Sequence, residues 1–167
     1  MGDETSVVRV GVLGCGRIGS MHAEMLAGRV PGAALAGVYD VVGDAATAVG
    51  TSLGVPVHDS VESLLAGGCD AVAICSSVDS HIELIVAAAE AGLATFCEKP
   101  LSLDLDDIDR GLAAVDAAGT MLQIGFNRRF DPSHAAVRQA VVDGDVGQLE
   151  LLRITSRDPA PPPMAYL

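Results

Sequence analysis

The sequence predicts a doubly wound α/β fold, in which helices cover both faces of a mostly parallel sheet. Short apolar runs alternate along the 167 residues with stretches whose apolar positions recur at helical spacing. Strict alternation of strand and helix favours a parallel sheet, because each helix carries the chain back to the start of the next strand. Half of the residues are hydrophobic but only 3% are aromatic and none is Trp, which suits close packing of helices on a sheet.

The amino-terminal half predicts four strands separated by helices. The strands are the short apolar runs at 7–14, 33–40, 55–59 and 70–76. The helices have apolar residues three and four positions apart and lie at 17–29, 44–53 and 61–67. The run at 70–76 is apolar almost throughout, which is typical of a strand that is buried on both faces.

The carboxyl-terminal half continues the alternation. Further helices are predicted at 81–92, 105–119 and 132–144, the last with Pro132 in its first turn and Gly144 just beyond its end. Further strands are predicted at 93–100 and 121–126, and a last extended stretch at 148–157. A proline-rich segment follows at 158–163 and marks the exit from the domain.

Charge and composition exclude several classes of function. A formal net charge of −12 argues against nucleic acid and against anionic lipid, because both need clustered basic residues. The amino terminus carries acids and lacks the pattern of a secretory signal, and no apolar run approaches the about 18 residues of a membrane span. Four cysteines without a CxxC pair indicate free thiols in a reducing compartment. We therefore expect a cytoplasmic protein.

A glycine motif, GCGRIG at 14–19, lies between the first predicted strand and the first predicted helix. In this context Gly14 permits a tight turn, Gly16 lets a pyrophosphate approach the backbone, and Gly19 lets the helix pack closely on the strand. Free N–H groups at the helix start would hold the phosphate oxygens. The motif alone is weak, since glycines also mark ordinary turns.

Asp40 strengthens the interpretation as a dinucleotide site. It ends the second predicted strand, 21 residues after Gly19, where a carboxylate can accept hydrogen bonds from the adenosine ribose. The same charge would repel a 2′-phosphate, which favours NAD over NADP. The alternative is an acidic residue in a solvated turn.

Three longer segments resemble one known family. GVLGCGRIGSMHAEML, DAVAICSSVDSHIELIVAAAEAGLATFCEKPLSLD and IGFNRRFDPSH are similar to the glucose–fructose oxidoreductase/inositol 2-dehydrogenase (Gfo/Idh/MocA) family, whose first domain is an NAD-binding Rossmann fold. The resemblance covers roughly residues 7–166, and NRRFD and TSRDPAPPP resemble the inositol 2-dehydrogenase branch.

The resemblance implies a set of cofactor-binding residues. They are Gly14, Gly16, Arg17 and Ile18 at the pyrophosphate, Asp40 at the adenosine ribose, and Ser76, His81 and Glu98 toward the nicotinamide half. Ser76 takes the place of a common Thr, and Ser77 that of a common Pro.

Lys99, the only lysine of the chain, is the candidate catalytic residue. It matches the family's Glu-Lys-Pro motif, formed here by Glu98, Lys99 and Pro100, whose proline often follows a cis bond. Its place after a strand is where a doubly wound sheet binds ligands, and an ammonium there can hold a substrate hydroxyl and stabilise a developing alkoxide. Glu98 beside it can orient the ribose or balance the charge. The alternative is an exposed strand-end residue.

Weaker candidates have ordinary structural alternatives. His22 is more often a packing or capping residue than a functional one. Arg129 matches a motif that borders the family's active-site cleft and would bind substrate, but Arg128 and Arg129 could equally pair with Asp131. The acidic residues between 104 and 109 suit a solvated helix start, and no metal-site spacing is present.

The expected organisation has four parts. A disordered terminus at 1–6 precedes a dinucleotide-binding Rossmann domain at 7–126, its last helix and strand at 127–157, and a proline-rich exit at 158–167 toward a carboxyl-terminal α/β domain that the chain lacks. In the inositol dehydrogenase branch, an Asp-x-x-x-His motif in that second domain supplies the general base, and no residue here matches it.

Two functions follow from this organisation. The first is the NAD domain of an enzyme that oxidises a ring hydroxyl of a cyclitol or sugar such as myo-inositol. The second is a non-catalytic NAD-binding module, or a fragment that needs a partner chain. The partner would be a complementary carboxyl-terminal domain or a second copy in a homo-oligomer, and neither function involves nucleic acid or membrane.

Overall fold

The computed structural model describes residues 7–157 and Ala160. The expected disordered terminus at 1–6 lies outside these residues, as does the proline-rich exit at 158–167 apart from Ala160. The chain divides into two compact units, the first ending at Phe126 and the second beginning at Asn127.

The first unit contains five strands and five α-helices. Its strands are β1 (Val8–Leu13), β2 (Ala33–Tyr39), β3 (Ala71–Ile74), β4 (Ala94–Cys97) and β5 (Leu122–Ile124). Its helices are α1 (Arg17–Gly28), α2 (Gly43–Leu53), α3 (Val61–Leu65), α4 (His81–Glu90) and α5 (Leu105–Ala118). One turn of 3₁₀ helix, Val78–Ser80, precedes α4.

The five strands form one sheet in the order β2-β1-β3-β4-β5, and every neighbouring pair is parallel. The chain moves outward from β1 to β2 and then returns across β1 to β3, so the order reverses between β1 and β3. This arrangement confirms the predicted doubly wound α/β fold. The carboxyl ends of β1 and β3 flank the point of reversal, where such sheets bind ligands.

Two hydrophobic clusters lie on opposite faces of the sheet because side chains alternate along each strand. Val12 and Ala73 belong to the cluster that contains Ala23 of α1 and Ala46 of α2. Leu13, Val72 and Ile74 belong to the other cluster, which contains residues from the three remaining helices of this unit: Leu64, Ile82, Ile85 and Val115. The predicted helical cover on both faces is therefore present, and small aliphatic side chains build both layers.

Two predicted strands are not formed. The stretch at 55–59 makes a single bridge, between Val57 and Val38, because Pro56 has no N–H to donate and the ladder cannot continue. The described residues 148–157 are exposed and form no strand, because they pair with no other strand of the described chain. The assignment of 127–157 to the same domain as the sheet remains a prediction.

The second unit contains a turn of 3₁₀ helix, Asn127–Phe130, and helix α6 (Pro132–Val142). Asp131 caps α6, since its Oδ1 accepts hydrogen bonds from the backbone N–H of Ser133 at 2.9 Å and of His134 at 3.1 Å. The side chain of His134 also bonds to this carboxylate, and these contacts lower the pKa of Asp131 to about 2. Within the part of the chain that the structure describes, no helix is long and apolar enough to cross a membrane.

Candidate functional site

The glycine loop connects β1 to α1 at the point where the strand order reverses. Gly14 has a φ of +99°, a conformation that L side chains rarely adopt. A Cβ on Gly14 would lie 2.6 Å from the backbone nitrogen of Ser76, so the loop after β1 packs directly against the loop after β3. Gly14 is therefore required both by the turn and by the contact between the two loops.

The other two glycines of the motif differ sharply in their surroundings. A Cβ on Gly19 would collide with the backbone oxygen of Gly14, so this position admits no side chain without moving the loop. Gly16 is exposed, and no heavy atom of the described chain lies within 4 Å of where its Cβ would be. The space beside Gly16 is therefore not filled by any residue that the structure describes.

The first turn of α1 presents free backbone donors to that space. Among the described residues, no side chain caps the helix at Gly16, and its first turn contains no acidic residue. Side chains of Ser60, Asp104 and Asp131 cap helices α3, α5 and α6, whereas α2 and α4 also lack a side-chain cap but each has an acidic residue in its first turn. An uncapped helix start carries a partial positive charge and unsatisfied N–H groups, and both favour an anion.

Asp40 lies immediately beside the glycine loop. Its Oδ2 accepts a 2.6 Å hydrogen bond from the backbone N–H of Cys15, and its Oδ1 accepts one of 2.8 Å from the N–H of Val42. The carboxylate is half-buried and still has lone pairs to accept further hydrogen bonds, because each oxygen has engaged only one donor. The residue therefore both supports the loop and presents a fixed negative charge next to it.

Ser76 lies in the loop that follows β3, next to the glycine loop. The Oγ atoms of Ser76 and Ser80 are 2.7 Å apart, and the Ser80 hydroxyl also donates to the carbonyl of Ser77 at 2.8 Å. A serine hydroxyl has one hydrogen, so Ser80 is the acceptor in the pair and Ser76 the donor. Both lone pairs of the Ser76 hydroxyl therefore remain available to accept hydrogen bonds.

His81 is the first residue of α4 and is only 2% exposed. Its Nδ1 lies 2.8 Å from the carbonyl oxygen of Pro100 and its Nε2 lies 3.1 Å from that of Ser76. The ring thus connects the loop after β3 to the loop after β4. A neutral imidazole carries one N–H and donates to one of these carbonyls, whereas an imidazolium donates to both.

Glu98, Lys99 and Pro100 follow β4 at the same edge of the sheet. The Lys99 side chain is exposed, and the Lys99–Pro100 peptide bond is cis, as the family resemblance implies. The Glu98 carboxylate accepts a 3.2 Å bond from the backbone N–H of Lys99 through Oε2, and its Oε1 lies 2.9 Å from Nε2 of His22.

Comparison with known proteins identifies the family. Residues 8–126 match the oxidoreductase family with NAD-binding Rossmann fold, Gfo/Idh/MocA. The chain belongs to the Gfo/Idh/MocA oxidoreductase family. The matched range closely follows the Rossmann domain that the sequence predicts at 7–126.

Similar members of the Gfo/Idh/MocA family act on inositols, according to their names. The chain is 44% identical over 162 residues both to the inositol 2-dehydrogenase of Rhizobium meliloti and to the myo-inositol 2-dehydrogenase of Thermotoga maritima. Both alignments cover 96% of this chain and 48% of the relative. The chain therefore spans about half the length of these relatives.

A solved structure of the family shows the same fold with a cofactor. The scyllo-inositol dehydrogenase of Lactobacillus casei, with bound NAD(H) and scyllo-inositol, superposes with a TM-score of 0.81 at 31% identity. The match covers 85% of this chain and 43% of that protein. A dinucleotide is therefore bound by a relative that shares this fold.

Most of the residues predicted at the cofactor site of this Gfo/Idh/MocA domain lie along one edge of the sheet. They follow β1, β2, β3 and β4: Gly14, Gly16, Arg17, Ile18, Asp40, Ser76, His81, Glu98 and Lys99. Arg129 lies in the second unit, where it is exposed. Its neighbour Arg128 lies 3.5 Å from Asp131, so the alternative of a local ion pair is realised for Arg128. The individual roles of these residues remain predictions.

Buried thiols lie behind the crevice of this domain. Burial is the main cause that raises the pKa of Cys15 to about 11 and that of Cys75 and Cys97 to about 12. The charge of Asp40 contributes at Cys15, and that of Glu98 at Cys75 and Cys97. These cysteines are free and act as small hydrophobic residues under the loops.

Sequence reasoning did not identify the contact between His22 and Glu98 or the position of Gly125. His22 contacts the carboxylate of Glu98 in the Glu-Lys-Pro motif. Gly125 follows β5, and a Cβ there would lie 3.2 Å from Oε2 of Glu98. The sequence signal for His22 is its position in α1, shortly after the glycine motif. Gly125 follows strand β5, and no motif in the sequence marks it.

Proposed function

We propose that this chain is the NAD-binding half of a dehydrogenase that oxidises a ring hydroxyl of a cyclitol or sugar resembling myo-inositol. The observation that carries the proposal is the contrast at the glycine loop. Gly14 and Gly19 are enclosed by protein atoms, whereas Gly16 faces open space at the uncapped start of α1. This pattern suits a pyrophosphate, whose oxygens would accept hydrogen bonds from the backbone of Gly16, Arg17 and Ile18.

NAD is the proposed cofactor in preference to NADP. The Asp40 carboxylate is fixed by two backbone N–H groups beside the loop, so it cannot easily turn away from a ligand. It would accept hydrogen bonds from the adenosine ribose hydroxyls and repel a 2′-phosphate. The name of the Lactobacillus casei structure supports NAD as a ligand of this fold.

The edge formed by the ends of β3 and β4 is the proposed nicotinamide side. When bound, NAD supplies a ring that accepts the hydride. Ser76 would accept a hydrogen bond from the carboxamide through a lone pair that its bond to Ser80 leaves free, and His81 holds the two loops together. Lys99 would donate a hydrogen bond to the substrate hydroxyl and stabilise the developing alkoxide, and Glu98 would contact the nicotinamide ribose. Arg129 is a further candidate to bind a substrate hydroxyl.

The proposed activity also needs a proton acceptor, and no residue of the 167 matches the general base of the family. A positioned hydride acceptor and a base within reach are both required for dehydrogenation. A second candidate function is a non-catalytic NAD-binding module, which the geometry of the glycine loop and Asp40 supports equally. We propose that catalysis requires the relatives' other half, in the same polypeptide or in a partner chain, in the reducing cytoplasm that the free thiols favour.

Mixing experiments separate the two candidates. The 167-residue chain is assayed for NADH formation with myo-inositol and scyllo-inositol, alone and with the separately produced carboxyl-terminal half of the Rhizobium meliloti relative. The catalytic proposal predicts turnover only in the mixture, and its loss when Lys99→Met replaces the natural chain. A complex that forms and binds NAD without turnover would support the binding module and contradict the catalytic proposal.

A further inference from the structure

The Glu98 carboxylate is held at both of its oxygens. Oε2 accepts from the backbone N–H of Lys99 at 3.2 Å, and Oε1 lies 2.9 Å from Nε2 of His22. A carboxylate oxygen only accepts hydrogen bonds, so Nε2 of His22 carries the hydrogen that joins the two side chains. The carboxylate thereby connects helix α1 with the backbone that follows β4.

The His22 ring is fixed on a second side by Phe96. The two ring centroids are 5.2 Å apart with an interplanar angle of 57°, which is within the range of favourable aromatic contacts. The side chains of His22 and Glu98 are only 19% and 22% exposed, so water screens their contact less than it would on the open surface. His22 therefore has one defined position from which to hold Glu98.

Gly125 provides the space that the carboxylate occupies. A Cβ at this position would lie 3.0 Å from Cζ of Phe96 and 3.2 Å from both Cδ and Oε2 of Glu98. These separations are tighter than ordinary van der Waals contact, and Phe96 and Glu98 are already fixed by His22. A side chain here would displace either the carboxylate or the aromatic ring.

We infer that His22 is a positioning residue that holds Glu98, and through it the backbone of Lys99, at the nicotinamide side of the crevice, and that Gly125 keeps the space this requires. The inference rests on the proposed function, because it assigns His22 a role in the same cofactor site. It goes beyond that function by assigning roles to His22 and Gly125, which act through Glu98.

His22 lies on the same helix, α1, as the residues proposed to bind the pyrophosphate. Arg17 begins the helix at the glycine loop, and His22 follows it by five residues, a rise of about 7–8 Å along the axis. One rigid helix therefore presents its first turn to the pyrophosphate and its second turn to Glu98.

Affinities for NADH and ADP-ribose test the inference, because ADP-ribose contains the pyrophosphate and adenosine but lacks nicotinamide. The 167-residue chain is titrated with each ligand as His22→Ala, Glu98→Ala, their double variant, and His22→Gln. We expect His22→Ala to weaken NADH binding about five- to ten-fold and to leave ADP-ribose binding within about two-fold. The double variant should be no weaker than Glu98→Ala, since His22 acts through Glu98, and Gln, which retains an N–H donor, should recover most of the loss.

Two further variants complete the test. Gly125→Ala should reproduce the selective loss of NADH binding, because its methyl group displaces the carboxylate. Met21→Ala, an exposed neighbour of His22 on α1, should change neither affinity and controls for general effects on the helix.

Three results would overturn the inference while the proposed function stands. They are an equal loss of both ligands in His22→Ala, losses from His22 and Glu98 that add in the double variant, and no loss at all. Failure of the natural chain to bind ADP-ribose and NADH would instead refute the proposed function, and the positioning role with it.

Discussion

The backbone N–H of Cys15 donates a 2.6 Å hydrogen bond to Oδ2 of Asp40, which ties the glycine loop to the end of β2. The second oxygen of Asp40 accepts from the N–H of Val42 at 2.8 Å, so this side chain also fixes the approach to α2. An acid at this position is thus part of the protein's own architecture as well as a candidate ligand for ribose. Replacing it should have separable effects on stability and on binding.

Substitution of Asp40 should separate its two roles. Asp40→Ala leaves the N–H groups of Cys15 and Val42 without their acceptor, and we expect a loss of about 1–3 kcal/mol in the free energy of unfolding. Asp40→Asn keeps one acceptor oxygen and removes the charge, so it should retain more stability while the ratio of NADP to NAD affinity rises. Urea unfolding and calorimetric titration measure the two effects. An unchanged affinity ratio in Asp40→Asn would show that another residue selects the cofactor.

Two alanine substitutions in the glycine motif should have opposite consequences. Gly16→Ala places a methyl group in open space at a φ of −68°, which any residue adopts, so the free energy of unfolding should change by less than about 0.5 kcal/mol. NAD affinity should nevertheless fall at least about ten-fold, because the methyl group occupies the approach of the pyrophosphate.

Gly19→Ala is the matched comparison. Its methyl group would collide with the backbone oxygen of Gly14, so we expect the melting temperature itself to fall by several degrees. Thermal unfolding of both variants, followed by circular dichroism, checks the contrast. Full NAD affinity in a stably folded Gly16→Ala variant would mean that the pyrophosphate lies elsewhere.

His81 should matter for stability because it connects two loops. His81→Leu removes every donor from between the carbonyls of Ser76 and Pro100, and we expect the free energy of unfolding to fall by about 1–3 kcal/mol. Urea unfolding of the natural chain and of this variant measures the loss. If the His81→Leu variant unfolds at the same urea concentration as the natural chain but binds NADH more weakly, His81 contacts the cofactor directly and does not stabilise the fold.

The buried cysteines should resist thiol reagents in the folded protein. With pKa values of about 11 for Cys15 and about 12 for Cys75 and Cys97, about one Cys15 in a thousand is thiolate at pH 8. Reaction with Ellman's reagent should therefore be slow until the chain is unfolded, when all four thiols react. Rapid labelling of Cys97 in the native chain would contradict the described packing.

The raised pKa values of the buried thiols predict that the free energy of unfolding decreases at high pH. Because the thiol pKa values are higher in the folded chain than their ordinary 9.0, the unfolded state loses these protons first as the pH rises. The stabilisation is complete below pH 9 and is lost between pH 9 and about 12. Unfolding by urea at pH 8 and pH 10 should show a decrease that is smaller in Cys97→Ala.

The sequence was sufficient for the helices and for the main strands of the sheet. Each helix begins and ends within about two residues of its prediction, because the apolar spacing and the flanking Gly and Pro residues are local signals. The strands at 55–59 and 148–157 were wrong because a strand depends on a partner that local patterning does not show. Pro56 was the local warning in the first of these.

The candidate site was predictable where it rests on motifs and unpredictable where it rests on packing. Gly14, Gly16 and Asp40 lie together because strands β1 and β2 end side by side, as the motif spacing implies. The contact between His22 and Glu98 joins residues 76 positions apart and depends on how α1 packs across the sheet. The need for glycine at position 125 follows from the positions of the Phe96 and Glu98 side chains, which the sequence alone does not give.

Calorimetric titration of the natural 167-residue chain with NAD and with NADP tests the central claim most directly. We predict saturable binding of one NAD per chain, and an affinity for NADP at least about ten-fold lower because of the repulsion by Asp40. Binding of neither nucleotide would contradict the assignment of this domain as a cofactor site that forms on its own. Equal binding of both would contradict the role of Asp40.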